Sequence, residues 1–428
     1  MIETHAEALA YLDSHIGYGI RPGLTRTADV LSMMGNPQND YPIILVTGSN
    51  GKTSTTRLIS SLLTAHGLRV GSFTSPHLER IEERFGLDNE AADPDEFVQS
   101  VADVAVFADL YEAKTGESLT YFELTTVIAY AFFAAQAVDV AVVEVGMGGR
   151  LDATNVADAA VAVITGISLE HTDVLGETLG EIASEKVGIT RTGAALVQGP
   201  LPQEARDVVI AHCEANEVHR VTFGVDVNLG EFAPAVGGWL VTIEGAYGTY
   251  PEIYLPLHGD HQLVNLTVAI GAAEAFFGRA MPQDAVEEGI AAVTVPGRLE
   301  TVSIEPLVII DGAHNPEGIE AAAAALDAFG QRDWVVIFAV MADKDVAAMI
   351  PTLGTFASSV ITTAVGHERS ADPAYLAELA TTLLDVPVQA TATTGEALER
   401  ARHQLGENGA ILAIGSLYLA GVIRTQVL

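Results

Sequence analysis

Short apolar runs recur through the first half of the chain, each bounded by glycine or polar residues. "YPIILVT" (41–47), "RVGSFT" (69–74), "DVAVVEV" (139–145), "VAVIT" (161–165) and "AALVQ" (194–198) show little polar alternation, so they predict strands buried on both faces. Between most of them the apolar positions move to helical spacing. Leu58, Ile59, Leu62 and Leu63 fall on one face of a helix over 52–66, and Gly67 is placed to stop it. The most membrane-like stretch, 124–145, is interrupted by Gln136 and Asp139, and predicts a buried helix followed by a buried strand. Residues 218–258 change to short β-rich runs with glycine turns, an expected edge extension of the first domain. After "VTVPGRLETVS" (293–303) a second alternation begins, with strands in "LVIID", "WVVIFAV", "SSVITTAV", "VPVQATAT" and "GAILAIGS". The pattern predicts an α/β protein. A mostly parallel sheet domain with lead-in helices spans 1–296, and a smaller α/β domain spans 297–428.

Composition narrows the partners. The chain has 428 residues, too many for one ordinary core, so two or three domains are expected, and its hydrophobic content suffices for large buried cores. Lys plus Arg number 21 against 56 Asp plus Glu, a formal net charge of −35. No broad basic face can be built from that balance, so nucleic acid is not an expected partner. The single cysteine, Cys213, excludes an internal disulfide and a cysteine-rich zinc site, in keeping with a reducing compartment. The N-terminal stretch carries early charges and no continuous apolar run, so no signal peptide is expected. A cytoplasmic protein without membrane attachment is the resulting expectation.

Candidate chemistry begins at "VTGSNGKTSTT" (46–56). A strand precedes it and a helix follows it, the arrangement in which backbone N–H groups of Gly48, Ser49, Asn50, Gly51, Lys52 and Thr53 can face phosphate oxygens at a helix N-terminus. Lys52 would reach the outer phosphates and a loop hydroxyl would face Mg²⁺. Glu144 ends an apolar strand, an unfavourable place for a carboxylate unless it faces a site. His171 follows the next strand in "GISLEHTD". Ligands of open α/β sheets sit at the carboxyl ends of strands, so the loop, Glu144 and His171 are expected to converge. The glycines of "GMGGRLDATN" (146–155) are expected to let backbone approach a ligand.

Several segments then carry a resemblance. "PGLTRTADVLSMMGNPQNDYP", "VTGSNGKTS", "FTSPHLERIEERF", "TYFELTT", "VEVGMGGRLDATNV", "LEHTDVLGETLGEIASEKVGI", "LHGDHQLVNLTVAI", "PGRLE", "DGAHNPEG" and "GSLYLAG" occur in this order. The chain resembles the folylpolyglutamate synthase/dihydrofolate synthase family, within the Mur-type ligases. Its loop is similar to the family's short T-N-G-K-G-S form, with Ser49 and Thr53 as departures. Either Thr53 or Ser54 could present the metal-facing hydroxyl.

The resemblance implies a P-loop-containing first domain and a Rossmann-like second one. It implies ATP- and Mg²⁺-dependent joining of L-glutamate to dihydropteroate or to (tetrahydro)folate polyglutamates through an acyl phosphate. It places Ser75, Glu144 and His171 as metal ligands beside Thr53, and Lys186 as a lysine carbamylated to serve a second metal ion. Asn265, Arg298, Asp311 and His314 match nucleotide or reaction-centre positions. Phe122, Asp152, Asn155 and Ser416 are implied substrate contacts. The implied partners are small molecules only, with the chain acting as a monomer. A Mur-type ligase of cell-wall precursors and a non-catalytic nucleotide-binding module are the alternatives.

Overall fold

The computed structural model describes residues 2–19, 21–367 and 369–428; Met1, Ile20 and Glu368 lie outside the described residues. Eight strands form the first sheet: β1 (Ile43–Thr47), β2 (Val70–Phe73), β3 (Phe85–Leu87), β4 (Glu90–Ala91), β5 (Val140–Glu144), β6 (Ala159–Ile164), β7 (Ala195–Gln198) and β8 (His219–Thr222). Their order is β4-β3-β2-β5-β1-β6-β7-β8. All neighbours are parallel except β3 and β4, which turn back along one edge.

Two-sided burial explains the apolar runs. In β1 every residue is buried. Ile43 and Leu45 join the core on one face, and Ile44 and Val46 join the core on the other. The first face is covered mainly by the helix Tyr121–Ala135 and its neighbours. The second is covered by the helices Lys52–Ala65 and Asp260–Phe277. Leu58, Ile59, Leu62 and Leu63 are fully buried at 0% exposure, as their spacing predicts. Truncating one of them to alanine costs about 2–5 kcal/mol. The helix stops at His66, and Gly67 follows with φ of 81°.

The β-rich stretch divides between two sheets. Of its strands, β8 alone extends the first sheet. Strands β9 (Asn228–Ala235), β10 (Gly238–Glu244) and β11 (Thr249–Leu255) form a separate antiparallel sheet in the order β11-β10-β9. One face carries Val241, Ile243, Tyr250, Ile253 and Leu255 into the second core. That apolar face is covered by packing on helices, which an edge-on extension would have left open to water.

The second half holds six strands: β12 (Glu300–Ile304), β13 (Leu307–Ile310), β14 (Asp333–Phe338), β15 (Ala357–Thr362), β16 (Val388–Ala390) and β17 (Gly409–Ile414). The order is β12-β13-β17-β14-β15-β16, parallel except for β12. A separate core lies on each face of this sheet. Among the described residues no helix is long and apolar enough to cross a membrane.

Polar bonds join the halves. Asn315 Nδ2 donates to Asn50 Oδ1 at 3.1 Å, and Asn50 Nδ2 donates to Glu317 Oε2 at 2.7 Å. On the other side of the seam Arg424 Nη1 donates to Glu79 Oε2 at 2.9 Å.

Candidate active site

The strand order fixes the site. β2, β5, β1 and β6 are adjacent and parallel, so their carboxyl ends bring Ser75, Glu144, the phosphate loop and the segment from Thr165 to His171 to one edge. The loop is held tightly. Gly51 has φ of 83°, and a Cβ there would lie 2.4 Å from Asn265 Oδ1, so this position admits only glycine without rearrangement. Ser49 Oγ donates to Ser168 O at 3.2 Å and accepts from Ser168 N at 2.9 Å. Lys52 Nζ folds back over the loop, donating to Gly48 O at 2.7 Å and Ser49 O at 3.1 Å.

The two candidate hydroxyls have different surroundings. Thr53 Oγ1 donates to Glu144, lying 3.0 Å from both carboxylate oxygens. Ser54 Oγ accepts from Gln262 Nε2 at 3.3 Å behind the loop, and Gln262 Oε1 accepts from Asn265 Nδ2 at 3.0 Å. Glu144 is 2% exposed and also accepts from Ser75 N at 3.2 Å. Burial pushes its carboxyl up, while Lys52, Ser75, Thr53 and Arg298 pull it down.

Beyond Glu144 lies a second charged pair. Lys186, on the helix Leu179–Val187, is 1% exposed and donates to Glu170 Oε1 at 2.8 Å. Its neighbour Glu185 points away and binds Arg150. Burial lowers the Lys186 ammonium to about 8, with Glu170 opposing. Burial alone would raise the Glu170 carboxyl, but Lys52 and Lys186 override it and hold it at about 2. His171 caps the short helix Thr172–Leu175 with φ of 46°, within the field of Glu170, Lys344, Lys52 and Lys186. Among the described residues no three His, Cys, Asp or Glu side chains converge as a ready cation cage.

The second half contributes from the start of its sheet. Asp311 accepts from Leu299 N at 2.8 Å and Ala313 N at 2.7 Å, tying "PGRL" to "DGAH". The Arg298 guanidinium lies against Gly312, where a Cβ would sit 2.4 Å from Nη1. His314 Nδ1 is 2.9 Å from Gly312 O, and burial lowers the imidazole to about 4. Ser416 caps the helix Leu417–Val427 through Tyr418 N at 3.2 Å.

A cavity of about 440 Å³ opens beside the phosphate loop, walled by Ser75, Arg84, Phe122, Gly146, Met147 and Asp152 among others. Phe122 faces it and packs 6.0 Å from the Phe73 ring. Asp152 accepts from Met147 N at 2.9 Å, Thr154 N at 3.0 Å and Thr154 Oγ1 at 2.6 Å. It is therefore a turn carboxylate first, with limited acceptor capacity left for a ligand. Asn155 does not wall the cavity. Its amide donates to Arg150 O and Gly188 O at 3.0 and 3.1 Å and accepts from Arg191, so it braces the loop from behind.

Within the glycine run, Gly146 and Gly149 border the cavity. A Cβ on Gly149 would also lie 2.7 Å from Glu185 O, so this residue admits the end of a helix as well. Sequence reasoning passed over Glu170 and Arg84. Glu170 adjoins His171, and Arg84 is the last but one residue of the quoted stretch "FTSPHLERIEERF"; nothing in either neighbourhood marks the side chain as buried.

A phosphate loop and a buried glutamate at adjoining strand ends, with a second α/β unit bonded across the seam, define a Mur-type ligase. The family model for the Mur ligase middle domain matches residues 46–273, and that for the Mur ligase glutamate ligase domain matches 297–417. More narrowly, the chain belongs to the dihydrofolate synthase/folylpolyglutamate synthase family. It is 38% identical to the dihydrofolate synthase/folylpolyglutamate synthase of Mycobacterium tuberculosis, over 95% of this chain and 90% of that protein. The folylpolyglutamate synthase of the same organism, solved with ADP and AMPPCP, superposes with a TM-score of 0.93 at 36% identity, covering 99% of each chain. An Escherichia coli relative solved with DHPP and ADP gives a TM-score of 0.88 at 29% identity, covering 99% of this chain and 97% of that one.

Proposed function

We propose that the protein joins L-glutamate to dihydropteroate and to (tetrahydro)folate (poly)glutamates at the expense of ATP. One observation carries the reading. Ser75 walls the apolar cavity and also donates its N–H to Glu144, which binds the phosphate-loop residue Thr53. A pterin-bearing acid in the cavity would thus present its carboxylate to the outer phosphate of a nucleotide on the loop. The ADP, AMPPCP and DHPP complexes of the relatives support both ligands.

In this reading a substrate carboxylate oxygen attacks the γ-phosphorus, ADP leaves, and an acyl phosphate forms. The amine of glutamate then attacks the acyl carbon, loses a proton, and phosphate departs. Lys52 leaves its loop carbonyls to meet the transferring phosphoryl group, and the loop N–H groups hold the remaining phosphates. Asn265, Arg298 and Asp311 hold the nucleotide from the seam, and His314 faces the reaction centre. Ser54 and Gln262 brace the loop. Phe122 stacks on the pterin, Asp152 meets its polar edge, and Ser416 lies where the second domain meets the substrate. Closure of the domain 297–428 over 1–296 excludes water from the acyl phosphate.

The donor set fits Mg²⁺. This ion is commonly held by one or two carboxylates with phosphates and water, rather than by a full protein cage. Thr53, Ser75 and Glu144 would hold it, and it would neutralise charge on the phosphates. His171 and a carbamylated Lys186 would hold a second ion. The position of Lys186 supports modification, since an amine lowered to about 8 offers a neutral fraction to carbon dioxide. Carbamylation would displace Glu170. Lys186→Ala should be nearly inactive and partly rescued by acetate or formate; full activity would reject the modified lysine. We further propose a cytoplasmic monomer.

Positional isotope transfer tests the reaction. Dihydropteroate labelled with ¹⁸O in its carboxylate should pass one labelled oxygen to the released phosphate. Unlabelled phosphate would exclude an acyl phosphate.

A further inference from the structure

Arg84 is a buried cation that no anion of the protein partners. It is 7% exposed, its guanidinium lies 5.4 Å from the centroid of the Tyr121 ring, and Nε donates to His77 Nδ1 at 2.9 Å. Among the described residues it enters no ion pair, although carboxylates stand around the same cavity. Glu123 is bound by Arg26 at 2.8 Å, and Glu185 by Arg150 at 2.7 Å. Asp152 is occupied by Met147 and Thr154. Glu82, two residues away, pairs with His5. Of the other two arginines facing the cavity, Arg150 is spent on Glu185, and Arg21 is exposed and stacks 5.3 Å from the Tyr18 ring. A guanidinium stays charged when buried, and a buried charge without a counter-ion is costly, so this wall is built for an anionic ligand group.

Its location says which group. Arg84 and Ser75 wall the same cavity, and Ser75 donates its N–H to Glu144 at the phosphate loop, so the guanidinium serves the phosphate-loop end. There the reacting carboxyl must lie. In a folate that carboxyl belongs to a glutamate tail, whose α-carboxylate is a second anion within the same residue. The α-carboxylate keeps its charge throughout the reaction, while the γ-carboxylate becomes an acyl phosphate. Dihydropteroate has only the reacting carboxylate.

We infer that Arg84 is a specificity-determining residue that binds the α-carboxylate of the terminal glutamate of a tailed folate substrate. The inference rests on the folate-ligase reading above. It makes tail extension depend on a contact that first-glutamate addition does not use.

The test compares dihydropteroate, tetrahydrofolate and the tetrahydrofolate α-carboxamide with the wild-type protein and with Arg84→Gln and Arg84→Lys. The wild type should use the carboxamide about a hundredfold less well than tetrahydrofolate in kcat/KM, as expected for loss of one partner of a buried charge pair. Arg84→Gln should lower the tetrahydrofolate-to-dihydropteroate ratio of kcat/KM by about the same factor and cease to distinguish carboxylate from carboxamide. Arg84→Lys should recover part of the ratio. Equal use of carboxylate and carboxamide by the wild type would overturn the inference, and needs no variant to fold. So would an equal loss on both pterin substrates in Arg84→Gln, which would make the residue a loop prop. A wild type active on dihydropteroate alone would also overturn it while leaving the ligase reading intact. A wild type active on neither would remove the ligase reading itself.

Discussion

Replacing Glu170 by glutamine takes the carboxylate away from Lys186 while keeping the side-chain volume. Lys186 is 1% exposed, and its ammonium is bonded to Glu170 at 2.8 Å. Burial pushes the Glu170 carboxyl up, but the Lys52 and Lys186 charges hold it at about 2, against an ordinary value of 4.5. At about 1.4 kcal/mol per pKa unit, that depression stabilises the fold by about 3 kcal/mol. The folded-state value is depressed, so the contribution is complete above 4.5 and is lost as pH falls through about 2. Lys186 sets the other limit. Burial lowers it from 10.5 to about 8, so above about pH 8 the folded-state amine becomes neutral and the pair loses its positive member. Glu170→Gln should therefore cost about 3 kcal/mol near pH 6.5 and clearly less near pH 9.5, where the Lys52 charge alone still faces the position. The chain's two tryptophans allow the measurement: Trp239 lies in β10 and Trp334 in β14. In a Trp334→Phe background, urea unfolding followed by fluorescence reports the first half alone. A loss below about 1 kcal/mol at pH 6.5, or the same loss at both pH values, would refute the pairing argument.

Lys52→Ala should abolish turnover, by about a thousandfold or more, while the protein stays folded at a cost of about 1–3 kcal/mol, because its ammonium bonds two loop carbonyls and its charge helps hold down the Glu170 carboxyl. Retained ligase activity in the folded variant would remove the nucleotide assignment. Phe122→Ala should raise KM for the pterin substrate about tenfold and spare KM for ATP; equal effects on both would assign the ring to packing against Phe73. Arg298→Ala should weaken ATP use, and X-ray scattering of the wild type should show compaction with MgATP and pterin. Unchanged ATP kinetics without compaction would count against domain closure. Arg424→Ala cuts pairs with Glu79 and Glu300, each 2.9 Å long, yet should cost only about 1 kcal/mol because they are partly exposed; a loss above about 3 kcal/mol would mean the seam is held there.

Much of the fold was legible because strands buried on both faces must be apolar throughout. β1, β5, β6, β14 and β17 announce themselves this way, and the helix after the phosphate loop shows its buried stripe at Leu58 and Leu62. That β9–β11 form a sheet of their own was not legible, for a physical reason. Alternation reports that one face of a strand is buried, not which partner buries it. At the site, residues at strand ends were legible: Thr53, Ser75 and Glu144 do meet. Residues whose meaning depends on burial were not. Glu170 and Arg84 look like ordinary loop charges, and only their surroundings distinguish them. Asn155 illustrates the converse, since a polar residue beside a glycine-rich loop can be spent entirely on bracing it.

The most direct measurement of the central claim is ADP release by the purified protein with MgATP, given dihydropteroate, tetrahydrofolate or a muramyl precursor, each with and without its amino acid. The account predicts sustained ADP release only with a pterin acid and L-glutamate together, accompanied by an equal amount of the glutamylated product. Release that requires the muramyl precursor, or ADP formed at the same rate without any carboxylic acid, would contradict it.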